Sequence, residues 1–334
     1  MNKWFAGVAA AVVSVSILAG CAPKEVSQDF YAMDTVMNIT AYGDSDTQDA
    51  VNRCVSYINE LEADISRTKD SSDVSALNAV AGQTVTLSEQ TADVLSNALR
   101  LAQETEGQFD PTVAPLSDLW KIGTEDAAVP QQVDIDAALP AVGYQNVSLD
   151  GTKATMQAGA KLDLGGIGKG YAADHVAQIL RDAGVESAHI SLGGNIYVLG
   201  EKDRGVPWTV GITDPDKKEE YMATLKVSDI SVVTSGDYER YFEQDGKRYC
   251  HIFDPKTGYP AETDLSSVTV VSPDSTMADA YTTALFVMGF DKAWEFCQQH
   301  DVQAVFVLDD HTVRVTDGLK DSFSLTSSEY TYAQ

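Results

Sequence analysis

Leu162-Asp-Leu-Gly-Gly-Ile-Gly-Lys-Gly-Tyr171 constrains this chain more than any other stretch. Four glycines, Gly165, Gly166, Gly168 and Gly170, lie between an apolar run and a helical pattern beginning at Ala172. Glycine admits positive φ and lets a neighbour approach without meeting a Cβ. The helix that follows offers unpaired N–H groups and a partial positive charge, which suit a phosphate. Asp163 and Lys169 add an acceptor and a cation. The stretch serves equally as a tight turn that packs strand on helix, and it matches neither the Walker A spacing nor a strict GxGxxG.

Charge narrows the ligand. The 334-residue chain carries a formal net charge of −27. Nucleic acid and anionic membrane surfaces both demand basic patches, so neither is the expected main partner. An anionic ligand then needs a local island of N–H groups, a lysine or a metal ion. The length suffices for one large or two ordinary domains.

The first residues read as a targeting segment. Met1-Asn-Lys3 is basic, and Trp4 to Leu18 is apolar but too short to span a bilayer as a mature helix. Leu18-Ala-Gly-Cys21 resembles a bacterial lipobox. Residues 1–20 are therefore expected to be a lipoprotein signal peptide, Cys21 the lipidated first residue and 21–28 a tether. Residues 29–334 are expected to form a single domain. The expected location is extracytoplasmic, anchored to the cell membrane, on the periplasmic side if the envelope has two membranes. Cys54, Cys250 and Cys297 are too few and too widely spaced for a disulfide framework or zinc site, and read as small buried apolar residues.

In chain order, Phe30–Tyr42 reads as one strand and Asp46–Ser66 as a helix of about five turns, with apolar residues at helical spacing. Ser66–Leu77 reads as a loop with a short helix. Ser88–Thr105 is a second helix with Ser88 as N-cap. Gly107–Leu116, broken by a glycine and two prolines, is either a corner or a rigid loop presenting Phe109 and Asp110 to a planar ligand. Gly123–Pro140 looks peripheral. Val147–Leu164 reads as a hairpin, 172–183 as a helix, and 187–199 as two strands broken at Gly193-Gly194-Asn195. Short β segments follow at 208–213, 221–227 and 230–234, with a hairpin turn at Asp245-Gly246. A strand at 268–272, helices at 276–288 and 290–299, and strands at 304–308 and 312–316 close the chain. Without a regular βαβ alternation, the class is α+β.

Two residue sets carry chemistry. Asp279 and Thr283, four apart on a predicted helix, share a face with Thr282 beside them, and their hard oxygens suit Mg²⁺. The alternative is an ordinary capped first turn. His251, in a strand running into Pro255-Lys-Thr-Gly258, is either a general base or a hydrogen-bonded structural histidine. His175 reads as a surface residue.

Taken together, the segments Met33–Thr35, Phe109–Leu116, Asp163–Asp174, Ser191–Asn195, Thr234–Glu239, His251–Pro260 and Ala278–Ala284 follow one another in an order that resembles the ApbE family of FAD:protein FMN transferases. The resemblance implies mixed, largely antiparallel sheets with packed helices in two closely associated lobes, related to the T-fold. It implies cleavage of FAD and attachment of FMN by a phosphoester bond to a threonine or serine hydroxyl of an acceptor flavoprotein, with release of AMP. By position it implies Mg²⁺ held by Asp279, Thr282, Thr283 and the carbonyl of Gly166. It implies FAD contacts at Met33, Thr68, Gln108, Phe109, Asp110, Asp163, Lys169 and Phe253, and His251 as the group that takes the acceptor's proton. Thr282 stands where some members have an aspartate, and Thr68 lies in a variable loop where an aromatic residue occurs. The competing readings are an FAD pyrophosphatase giving free FMN and AMP, and a flavin-binding lipoprotein.

Overall fold

Short apolar segments separated by turns pair most readily with their sequence neighbours, and this chain builds its main sheet that way. The computed structural model describes residues 24–80 and 82–333. A nine-stranded sheet runs through it, its strands side by side in sequence order. They are β1 Lys24–Ala32, β2 Thr35–Gly43, β3 Ser187–Leu192, β4 Asn195–Leu199, β5 Ile230–Gly236, β6 Leu265–Ser272, β7 Gln303–Leu308, β8 Thr312–Val315 and β9 Thr331–Ala333. Neighbours are antiparallel except β8 and β9, which are parallel. This α+β architecture agrees with the sequence reading.

The long excursion from β2 to β3 carries α1 Thr47–Ile65, α2 Asp73–Ala79, α3 Glu89–Glu104, α4 Ala114–Trp120, α5 Gln132–Ala138 and α6 Gly165–Asp182. α7 Ser275–Met288 and α8 Phe290–His300 lie between β6 and β7. Met37, Ile39 and Ala41 of β2 alternate into the core shared with α1, α6 and α7, as period-2 patterning demands. A second core, including Val198, Val232 and Val305, lies against a three-stranded sheet of Trp208–Thr213, Tyr221–Val227 and Phe323–Leu325. β6 is buried along nearly its whole length. A third, smaller core surrounds Trp120, whose indole N–H donates 2.9 Å to the Gly258 carbonyl.

The structure corrects four readings. Phe30–Tyr42 is two strands: Met33 and Asp34 form a two-residue turn, both with left-handed φ (49° and 59°). The period-2 pattern continues across the turn, which hides it. Residues 24–28, expected in a tether, are strand, since Lys24 pairs with Gly43 and Gln28 with Ile39. The expected signal peptide and Cys21 lie outside the described residues. Finally, α6 begins at Gly165, so the glycine stretch is helix and not turn, and none of its four glycines has a left-handed φ. The fourth concerns His175, which is half-buried and stacked on Tyr57 at 5.3 Å between ring centroids.

Close packing explains the α6 glycines. A Cβ at Gly168 would stand 2.9 Å from Ile65 Cδ1, and one at Gly170 would stand 2.2 Å from the Ser275 carbonyl oxygen. Glycine costs a helix about 1 kcal/mol relative to alanine, but here it lets α6 press on α1 and α7. Asp174 of α6 reinforces that contact by accepting from Ser275 N, Thr276 N and Thr276 Oγ1 at the start of α7. The three cysteines of the described residues are buried and free, as the sequence suggested. Among the described residues no helix is long and apolar enough to cross a membrane.

Candidate active site

The glycine-packed junction of α6 and α7 forms the floor of a cleft of about 780 Å³, a volume in the range of cofactor-sized ligand sites. The β1–β2 turn supplies Met33, Asp34 and Thr35, and the end of α1 leads into Arg67 and Thr68. Gln108, Phe109 and Asp110 come from the loop before α4, while Asp163, Gly166 and Lys169 come from the start of α6. Asp279 and Thr283 project from α7, and His251 and Phe253 close the far side. Residues distant in sequence thus meet at one place, and all but one of the expected site residues line it.

The exception is Thr282. It is fully buried, and its hydroxyl donates 2.8 Å to the Asp279 carbonyl of its own helix while accepting from Ser235 Oγ at 2.9 Å. The bond to Ser235 turns this hydroxyl toward β5, and the bond to Asp279 uses its proton within α7. The expectation of a ligand at Thr282 is not met in this arrangement.

Asp279 is not a helix cap. That role falls to Asp274, whose carboxylate accepts 2.8 Å from Met277 N. Asp279 Oδ2 accepts 2.8 Å from Gly170 N across the helix junction, and its Oδ1 lies 3.9 Å from Lys169 Nζ. The carboxylate is thus buried, fixed by one oxygen and open to the cleft by the other. A Cβ at Gly166 would stand 3.2 Å from the Phe109 ring and 3.8 Å from Thr283 Oγ1, so the absence of a side chain there keeps the floor open. Carboxylate, hydroxyl and backbone carbonyl are hard donors, and this set fits a small dication such as Mg²⁺. Among the described residues no group of three or more His, Cys, Asp or Glu could hold a metal ion. One anionic ligand leaves a dication most of its charge for a phosphate.

His251 is held by the backbone of Arg240. Its N–H donates 3.0 Å to the Arg240 carbonyl, and its Nδ1 lies 3.3 Å from the same oxygen. That contact assigns the proton to Nδ1 and leaves Nε2 with a free lone pair. Crowding by protein, then the charges of Arg240 and Lys169, push its pKa down to about 4. The side chain is nonetheless exposed toward the cleft, and both cations push in the same direction as the crowding. The imidazole is neutral at pH 7 and fit to accept a proton.

The Gly107–Leu116 loop is both corner and wall. Asp110 Oδ1 accepts from Thr112 N at 2.8 Å and Thr112 Oγ1 at 2.5 Å, and Oδ2 accepts from Tyr144 N at 2.7 Å. Burial lifts its pKa while these hydrogen bonds lower it. Its carboxylate therefore shapes the loop, leaving Gln108 and Phe109 to face a ligand. Asp163 Oδ1 accepts 2.9 Å from Gly165 N at the start of α6, and Thr68 is exposed at the rim.

Several cleft residues escaped the sequence reading. Arg67 pairs with Asp118, which also holds Lys161 at 2.6 Å, and Arg67 Nε lies 3.7 Å from Asp163. Ser235 and Glu239 lie within a motif that carried the resemblance, so they were within reach; isolated Arg67 and Asp118 gave no pattern.

Comparison with known proteins agrees with the α+β fold. The model of the ApbE family matches residues 33–306. A Treponema pallidum FAD:protein FMN transferase is 36% identical over 329 residues, covering 92% of this chain and 91% of that protein. One from Klebsiella pneumoniae is 38% identical over 285 residues, covering 84% and 88%. Among solved structures, the ApbE protein of Thermotoga maritima superposes with a TM-score of 0.84 at 33% identity, over 90% of this chain and 99% of that one. The apo flavinyl transferase ApbE of Pseudomonas stutzeri gives 0.83 at 28%, over 92% and 99%. The chain belongs to the ApbE family.

Proposed function

We propose that this protein is a Mg²⁺-dependent FAD:protein FMN transferase. The observation that carries the reading is the meeting, in one cleft, of a neutral histidine and a buried carboxylate beside a lysine, although His251 and Asp279 come from separate elements. Relatives named as FAD:protein FMN transferases support it. The acceptor is a flavoprotein subunit presenting a threonine or serine hydroxyl.

The reaction is a phosphoryl-group transfer. The acceptor oxygen forms a bond to the phosphorus of the FMN half, and the bond from that phosphorus to the bridging oxygen breaks. AMP leaves with the bridging oxygen, and the hydroxyl proton passes to His251 Nε2. Gly166, in the first turn of α6, offers its backbone N–H and the helix dipole to anionic oxygens, while the Gly165 N–H is taken by Asp163. Lys169 adds a cation to the same wall. Met33, Phe109 and Phe253 offer apolar surface to the flavin or adenine rings. Asp279 and Thr283, with the Gly166 carbonyl, would hold Mg²⁺, which supplies charge neutralisation at the phosphates when bound. Positioning and electrostatics do most of the work in such transfers.

We place the enzyme outside the cytoplasm, anchored to the membrane by a lipid on Cys21. Mass spectrometry of the purified N-terminus tests this, and an uncleaved, unmodified Met1 contradicts it. The activity is tested by incubating the protein with FAD, Mg²⁺ and a threonine-bearing acceptor. Flavin fluorescence that survives a denaturing gel and is lost in Asp279→Ala supports transfer. Free FMN and AMP with unlabelled acceptor indicate an FAD pyrophosphatase, and intact bound FAD a binding protein.

A further inference from the structure

The Lys169–Asp279 pair does not behave like a surface salt bridge. The two side chains project into the cleft from adjacent helices and are 24% and 6% exposed, with Nζ 3.9 Å from Oδ1. Asp279 Oδ2 is already occupied by Gly170 N. Oδ1 is therefore the oxygen left for a cation, and among the described residues Lys169 is the one cation within ion-pair distance of it. The separation exceeds a good N–H···O hydrogen bond, so the ammonium is a nearby charge and not a locked donor. Its four-carbon stem is flexible and its charge compact.

We propose that Lys169 guards Asp279 Oδ1 against divalent cations until FAD arrives, making metal and FAD binding cooperative. The inference rests on the metal part of the function proposed above. Without FAD, a dication at Oδ1 meets a like charge a few ångströms away in a half-buried site, where such repulsion is far stronger than in water. The FAD diphosphate gives the ammonium a new anionic partner. The carboxylate then becomes available to the metal, and by linkage the metal tightens FAD binding by the same factor. The consequence is that metal does not accumulate in the empty site. Lys169 is in this respect a positioning residue, distinct from any direct contribution it makes to phosphate binding.

The test is Mn²⁺ binding to the full chain without FAD, read from the electron paramagnetic resonance signal of free Mn²⁺. Lys169→Gln is expected to bind Mn²⁺ at least about fivefold tighter than wild type, the lower end of common coupling. Lys169→Arg, which keeps the charge, is expected to stay near wild type. FAD is expected to raise Mn²⁺ affinity by a larger factor in wild type than in Lys169→Gln. Lys169→Met removes the charge while keeping the stem and is the second variant if the glutamine protein does not fold. A lysine that serves only the phosphates predicts unchanged Mn²⁺ affinity in Lys169→Gln, and one that only props Asp279 in place predicts weaker affinity. Either result overturns the proposal. If, with FAD present, Asp279→Ala still binds Mn²⁺ as wild type does, the metal site fails and the guard with it. If Asp279→Ala loses binding in the presence of FAD but Lys169→Gln leaves the FAD-free affinity unchanged, the guard alone fails.

Discussion

Gly170 N donates 2.8 Å to Asp279 Oδ2, while any Cβ at Gly170 would stand 2.2 Å from the Ser275 carbonyl oxygen and 2.7 Å from Asp279 Cβ. Helix contact and carboxylate placement are thus one feature. On an exposed helix, glycine to alanine gains about 1 kcal/mol. Here Gly170→Ala forces α6 and α7 apart, and overpacking of this kind costs about 1–3 kcal/mol. Denaturant unfolding is expected to show a net loss, with turnover falling as Asp279 shifts. A variant more stable than wild type contradicts the packing account.

Thr282 and Thr283 are neighbours with different work. Thr282 Oγ1 is taken up by its own helix and by Ser235, which stands between it and the cleft-lining side, whereas Thr283 itself lines the cleft. Thr282→Val is expected to cost about 1 kcal/mol of stability and leave the Mg²⁺ requirement unchanged. Thr283→Val is expected to raise the Mg²⁺ concentration needed for half-maximal activity severalfold. A Mg²⁺ titration of both variants checks this, and the reverse pattern would return Thr282 to the ligand set.

His251 has a pH signature. Its pKa lies below the ordinary value of 6.5, at about 4, through burial and then the charges of Arg240 and Lys169. The neutral base is present above that value and lost as pH falls through it. The acid limb of kcat/KM, which reports the free enzyme, is therefore expected well below pH 6.5. Arg240→Gln removes one cation and moves that limb to higher pH. His251→Ala is expected to lower kcat by about 10²–10⁴ with little change in FAD affinity. A limb at 6.5 that Arg240→Gln does not move contradicts this reading.

Asp110 accepts three hydrogen bonds that fold the loop carrying Phe109. Asp110→Ala leaves the amides of Thr112 and Tyr144 without that acceptor, and each such loss costs about 1–3 kcal/mol where the group stays buried. The melting temperature is expected to fall and KM for FAD to rise more than kcat falls. Unchanged stability contradicts a structural role for the carboxylate.

Much of the fold was legible because its helices and strands are strongly periodic. Thr47–Ile65 and Glu89–Glu104 are helices where their apolar spacing places them, and Ser88 Oγ accepts 3.1 Å from Thr91 N as an N-cap should. The Met33-Asp34 turn was not legible, since neither residue is a glycine and the strand pattern continues across it. An apolar residue in the left-handed region costs about 1–2 kcal/mol, so tertiary packing overrides local preference there. The α6 glycines were misread for the same reason: composition suggested a turn, but their use is contact with Ile65 and Ser275, which no local pattern reveals. For the site, the motifs identified residues that line the cleft. They did not distinguish Thr282 from Thr283, because that choice depends on the rotation of α7 against its neighbours. The Arg67–Asp118 pair links distant segments and left no trace in spacing.

The central claim is that this cleft transfers FMN from FAD to a protein hydroxyl, and its most direct test is product stoichiometry in a single assay. Purified protein, FAD, Mg²⁺ and a threonine-bearing acceptor are incubated together. Acceptor mass and released AMP are measured in the same sample, with the acceptor's Thr→Val variant as control. The account predicts one AMP for each acceptor that gains FMN through a phosphoester on that threonine, and no adduct with the valine acceptor or with His251→Ala at matched times. AMP and free FMN accumulating together while the acceptor mass stays unchanged would contradict it.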